Sequence, residues 1–130
     1  MEEALIGFLL SDGPLAALVG NRIHDTVNEQ GSQLPRLRLS LINSVPAYAD
    51  DGEAGITESR IQIDTFAPTR TIALSVSRAV FARLSAVSQT IAGVDFQTIE
   101  KVGEQSTFET PPDRVDVFRV RQDFMIWHTT

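Results

Sequence analysis

The chain is 130 residues long, 42% hydrophobic and free of cysteine. That fits one domain with a core of its own, and it excludes disulfides, thiol nucleophiles, thiolate metal sites and iron–sulfur clusters. A net charge of −6 argues against a free-standing binder of the nucleic-acid backbone, while the ten Arg against one Lys favour fixed carboxylate pairs and interfaces, although a GC-rich genome produces the same bias.

Glu2 and Glu3 stand where a signal peptide needs positive charge, and the apolar run 4–10 is too short to span a bilayer. A soluble, non-exported product with no membrane partner is therefore expected. Residues 2–10 read as a first helix with Leu5, Phe8 and Leu9 on its apolar side and the two acids in its first turn. Ser11-Asp12-Gly13-Pro14 breaks it, and Pro14 opens a second short helix with Leu15, Leu18 and Val19 inward and Gly20 as terminator. Residues 21–33 are polar and turn-like. A first strand follows, in which Leu37, Leu39 and Leu41 alternate with Arg36, Arg38 and Ser40.

Residues 43–57 show no period, are punctuated by Pro46, Gly52 and Gly55, and concentrate Asp50, Asp51 and Glu53. They are expected as a long loop, either an assembly loop or a plain hairpin tip. The central strand is clear: Ile61, Ile63 and Thr65 face one way and Arg60, Gln62 and Asp64 the other. Pro68 ends it, Thr69 caps a long helix, and Ile72, Val76, Val80 and Leu84 recur along that helix every four residues. Arg70, Ser77 and Arg78 are expected on its solvent side. A weaker strand is expected over 94–101, an irregular stretch over 102–113, and a long strand over 115–128.

The last strand has two unlike faces. Phe118, Val120, Phe124 and Ile126 form a core face interrupted by Gln122, whereas Val115, Val117, Arg119, Arg121, Asp123, Met125 and Trp127 lie opposite. With Phe66 they make an apolar–Arg–apolar strip on the side away from the helices, the composition of an interface unless the N-terminal helices cover it. The fold expected is α+β: a four-stranded, mainly antiparallel sheet of two hairpins joined by a helix, with helices packed on one face and short N-terminal helices, in one domain over 1–130.

Catalytic signals are thin. His24 and His128 lie far apart in sequence, and no further His or Cys completes a ligand set for His24-Asp25. His128 is expected at the surface. No phosphate-binding Gly-rich loop precedes a helix, and Asp50-Asp51-Gly52-Glu53 lacks the alternation of a calcium loop. Asp64 and Asp123 are expected to pair with Arg60, Arg119 or Arg121 across the sheet instead of acting as a catalytic dyad. Neither an enzyme nor a cofactor or metal site is expected.

ALVGNRIHD (17–25), LPRLRLSLI (34–42), RIQIDTFAPTRTIALSVSRAV (60–80) and RQDFMIW (121–127) together resemble the tail-completion proteins of long-tailed bacteriophages, also called tail-terminator or tail-to-head joining proteins, over nearly the whole chain. The resemblance implies a virion protein at the head–tail junction, from a phage, a prophage or a gene-transfer particle. It would form a ring, a hexamer, that caps the tail tube and meets the tube protein and the head connector or stopper, with DNA only passing through. On that reading Phe66, Arg119, Arg121, Met125 and Trp127 form one side of the inter-subunit interface and Arg70 and Arg78 the other. The loop of Tyr48, Asp50, Asp51 and Glu53 faces the lumen or a partner ring. The competing reading is a small dimeric ligand-binding or regulatory domain.

Overall fold

The computed structural model describes residues 1–20, 22–25, 34–49, 52–85, 87–109 and 117–129. Among these residues three helices, α1 (Glu2–Leu10), α2 (Gly13–Val19) and α3 (Arg70–Leu84), accompany six strands: β1 (Ile23–Asp25), β2 (Arg36–Ala49), β3 (Gly52–Ala67), β4 (Gln89–Ile91), β5 (Val94–Glu109) and β6 (Val117–Thr129). The strands form one sheet in the order β1-β2-β3-β6-β5-β4. The pairs β2–β3, β3–β6, β4–β5 and β5–β6 are antiparallel and β1–β2 is parallel. The four long strands are the two expected hairpins joined by α3. The count of four misses β1 and β4, three-residue strands too short to carry a period.

Chemistry already legible in the sequence positions the helices. Asp12 accepts from the Leu15 amide at 3.0 Å to cap α2, and Gly20 takes φ 61° just beyond it, a backbone state that glycine tolerates. Thr69 Oγ1 accepts from the Ile72 amide at 3.2 Å to cap α3. All three helices lie on one side of the sheet. Leu5, Leu9, Leu15, Val19, Val76, Val80 and Leu84 share a core with Leu37, Leu39, Ile61, Ile63, Phe124 and Ile126. Each such aliphatic side chain contributes about 1.5–3 kcal/mol on burial.

Arg83 ties α3 to the end of α1. Its Nε donates to the Phe8 carbonyl at 3.1 Å, its Nη2 to Ser11 Oγ at 2.7 Å, and its guanidinium lies 3.8 Å from the Phe8 ring centre. A cation on the last carbonyls of α1 complements the helix dipole. Arg83→Ala is therefore expected to cost about 1–2 kcal/mol, from the lost hydrogen bonds and the ring contact, as read by urea denaturation. A cost within error of zero contradicts this role.

Four expectations need correction. Residues 43–49 and 52–57 are strand and not loop; Asp50 and Asp51 lie outside the described residues, as do the side chains of Tyr48 and Glu53. The register shifts between Leu41 and Asn43 and again between Pro46 and Tyr48. The extra residue at Ile42 reverses which face the following side chains take, and the second shift sets residue 47 of β2 against residues 54–56 of β3, so the period of two disappears although the strand continues. Residues 102–109 are likewise strand, hidden by a shift between Lys101 and Gly103 and by the polar character of an edge that the helices leave uncovered. Ser77 is buried at 2% exposure. It lies on the inward stripe with Ala73, Val76, Val80 and Leu84, and its hydroxyl is satisfied by the Leu74 carbonyl at 3.0 Å. Its own carbonyl accepts from Gln122 Nε2 at 3.0 Å, which accounts for the polar residue that interrupts the core face of β6 between Val120 and Phe124.

His128, expected at the surface, is buried. Its Nδ1–H donates to the Thr129 carbonyl at 2.7 Å, leaving Nε2 to accept from Ser59 Oγ at 2.7 Å; the ring also packs on Phe96. A serine beside a histidine is a nucleophile–base pair in form. Here both are closed off from solvent, and the histidine's second nitrogen faces a backbone carbonyl.

Candidate interface on the open face of the sheet

The face turned away from the helices is built from alternate residues of three adjacent strands. Arg36 and Arg38 of β2 stand beside Phe66 and Asp64 of β3, which stand beside Arg119 and Arg121 of β6. The residues that alternate with them in sequence, Leu37, Ile63, Thr65, Val120 and Gln122, point into the core and are buried. Strand alternation thus delivers four arginines, one aspartate and one phenylalanine to a single surface.

Asp64 organises this surface. It is fully buried and accepts from Arg38 Nη2 at 3.0 Å, Gln62 Nε2 at 3.0 Å and Arg119 Nε at 3.0 Å, while Arg121 Nε stands 3.6 Å away. Burial alone raises the pKa of this carboxyl. The hydrogen bonds from Arg119, Gln62 and Arg38, together with the Arg119 charge, outweigh burial and hold it below the ordinary carboxylate value. Phe66 is the second organiser. The guanidinium carbons of Arg36, Arg38 and Arg119 lie 4.9, 5.5 and 5.5 Å from its ring centre, so the ring, only 6% exposed, is a platform under cations and not an exposed apolar end.

Further along the face Arg60 Nη2 bonds Asp123 Oδ2 at 2.7 Å. The expected pairing of both aspartates with arginines across the sheet is therefore what the fold contains. Met125 and Trp127 follow, half-buried and outside both hydrophobic clusters of the core. The N-terminal helices do not cover them, because α1 and α2 pack on the opposite face. Val115 lies outside the described residues.

Arg70 and Arg78 are exposed on α3, on the helix side of the sheet. Arg70 stands at the positive end of the helix dipole, where a cation gains nothing, so helix stability does not explain it. His24 lies on β1, paired with Arg38, but the side chains of His24 and Asp25 lie outside the described residues. Sequence reasoning missed Arg36 and Arg38 as members of the cluster. Their alternation was visible, yet only the register of β2 on β3 places them beside Phe66 and Asp64.

The fold is thus α+β, a curled sheet with helices on one face and an arginine-rich surface on the other. The family described as "Tail completion protein gp17" matches residues 3–129, and the chain belongs to it: it is a structural protein of phage-like virion tails. Among solved structures, a chain in the virion of a native gene transfer agent particle is similar in fold, with a TM-score of 0.74 at 18% identity, over 100% of this chain and 95% of that one. No curated protein sequence matches the chain.

Proposed function

We propose that the chain closes into a ring, of six copies, that caps the tail tube and joins it to the head connector. Such a ring stops tube growth and leaves a passage for DNA. The observation that carries this reading is the open face: a charged and aromatic surface, held in fixed geometry by Asp64 and Phe66, that none of the helices among the described residues covers. A surface of this kind is costly to maintain unless another protein meets it.

On this reading Phe66, Arg119, Arg121, Met125 and Trp127 belong to one contact with a neighbouring subunit of the tail, and Arg70 and Arg78 to another. The two sets lie on opposite sides of the sheet, as suits a subunit that meets two different neighbours. Both sets are cationic, so they do not face each other directly; each calls for acidic surface on its partner. Tyr48, Asp50, Asp51 and Glu53, clustered in sequence where β2 gives way to β3, are assigned to the lumen or to a partner ring. No catalytic role is assigned.

The test is native mass by light scattering behind gel filtration, across protein concentration, alone and with tail tubes added. The expected species is a closed ring near six times the 14.3 kDa of one chain, alone or at the tube tip. A fixed dimer at every concentration, with tubes left uncapped, rejects the ring in favour of the ligand-binding alternative.

A further inference from the structure

We propose that neighbouring copies join edge to edge, the outer edge of β2 in one copy pairing antiparallel with the outer edge of β5 in the next. This rests on the ring reading for closure but not for the contact itself. The sheet has two long free edges. On one side the three residues of β1, Ile23, His24 and Asp25, pair with Leu37, Arg38 and Leu39, so residues 40–49 of β2 have no outer strand partner among the described residues. On the other side β4 covers only Val94, Asp95 and Phe96 of β5.

Two observations on these edges point to each other. Of the six large hydrophobic side chains that are exposed among the described residues, Leu41, Ile42 and Val45 lie on β2 and Val102 and Phe108 on β5. Exposed, apolar, unpaired edges are what folded proteins ordinarily avoid.

The second observation is the spacing. On the rows left free at both edges, residues 40–45 of β2 lie against residues 62–58 of β3, six against five, because Ile42 is extra. On the same rows residues 98–103 of β5 lie against residues 127–123 of β6, again six against five, because Val102 is extra. A bulge normally protects an edge against pairing with a regular strand. Two edges that each carry one extra residue at neighbouring rows match each other in length and reject a regular strand. The direction fits as well: three antiparallel steps separate β2 from β5, so copies repeated side by side bring them together antiparallel. The contact is heterologous, the kind that closes a ring. It leaves the open face and the outer side of α3 free for other partners.

The absence of native cysteine gives a direct test. Within one chain β3 and β6 separate the two edges by three strand spacings, about 14 Å, whereas a disulfide needs Cα atoms within about 7 Å. Any disulfide between them therefore joins two copies. The double variants Ile42→Cys with Val102→Cys and Ser44→Cys with Glu100→Cys are oxidised, alone and in assembled tails, and run on non-reducing gels. The expected result is a ladder that ends at the size of the ring, with single variants giving dimers at most. Adding Val45→Lys is expected to reduce the ladder about tenfold without lowering Tm. Closed rings by native mass with no ladder from either pair overturn the edge contact and leave the ring standing. A ladder that never closes at one size supports the edge contact and rejects the ring.

Discussion

Asp64→Asn is expected to cost about 3 kcal/mol, the lower end of what breaking a buried ion pair costs, and to lower Tm by roughly 10 °C for a chain of this size. The carboxylate is wholly buried and takes hydrogen bonds or close contacts from Arg38, Arg119 and Arg121 together. Asparagine keeps the shape but leaves three guanidinium groups crowded round a neutral oxygen and an extra pair of N–H donors. The lower end applies because those guanidinium groups keep 18–38% of their side-chain surface in water. Asp123→Asn is the control. Its partner Arg60 is 42% exposed, and a pair of that kind contributes about 0–1 kcal/mol. Urea denaturation of both variants decides the matter: equal costs remove Asp64 from its organising role.

The same group gives the protein an acid-sensitive term with a definite sign. The folded pKa of Asp64 lies below its unfolded value, near 3.9, so its stabilisation is fully present above that value and is lost as pH falls through the folded pKa. Wild type and Asp64→Asn should therefore differ by a constant amount from pH 7 down to about pH 5 and converge below about pH 4. A difference that grows on acidification contradicts the lowered pKa.

How much of this is legible in the sequence depends on the interaction that fixes each element. The period of two in 60–66 and the period near four in α3 both reappear, as burial of Ile61, Ile63 and Thr65 and of Val76, Val80 and Leu84, as does the cap at Thr69. Periodicity fails where a bulge reverses the alternation, at Ile42 and Val102, so strands read as loops over 43–57 and 102–109. It also fails where burial is made tolerable by a local hydrogen bond, as for Ser77 and His128. The site divides in the same way. Arg119, Arg121, Met125 and Trp127 share one strand, and alternation alone puts them on one face. Arg36 and Arg38 join them only through cross-strand register, which no short stretch of sequence encodes.

Trp127→Ala, alone and with Met125→Ala, separates assembly from folding. Both side chains are half-buried on the open face and belong to neither hydrophobic cluster of the core, so their loss is expected to lower the stability of the lone subunit by no more than about 1 kcal/mol. In an interface the same tryptophan is a strong candidate for a hot spot, with about 2 kcal/mol or more at each contact, roughly a thirtyfold loss in affinity. The expected outcome is a variant that melts within a few degrees of wild type yet fails to cap tail tubes, as read by electron microscopy of tubes mixed with the protein. Arg78→Glu, an exposed change on the opposite side of the sheet, should also leave melting unchanged while blocking a separate step, the joining of capped tails to heads. Because the two surfaces are distinct, the two defects should be distinguishable. Capping at wild-type level by the Trp127→Ala, Met125→Ala double variant removes the strip from the assembly surface.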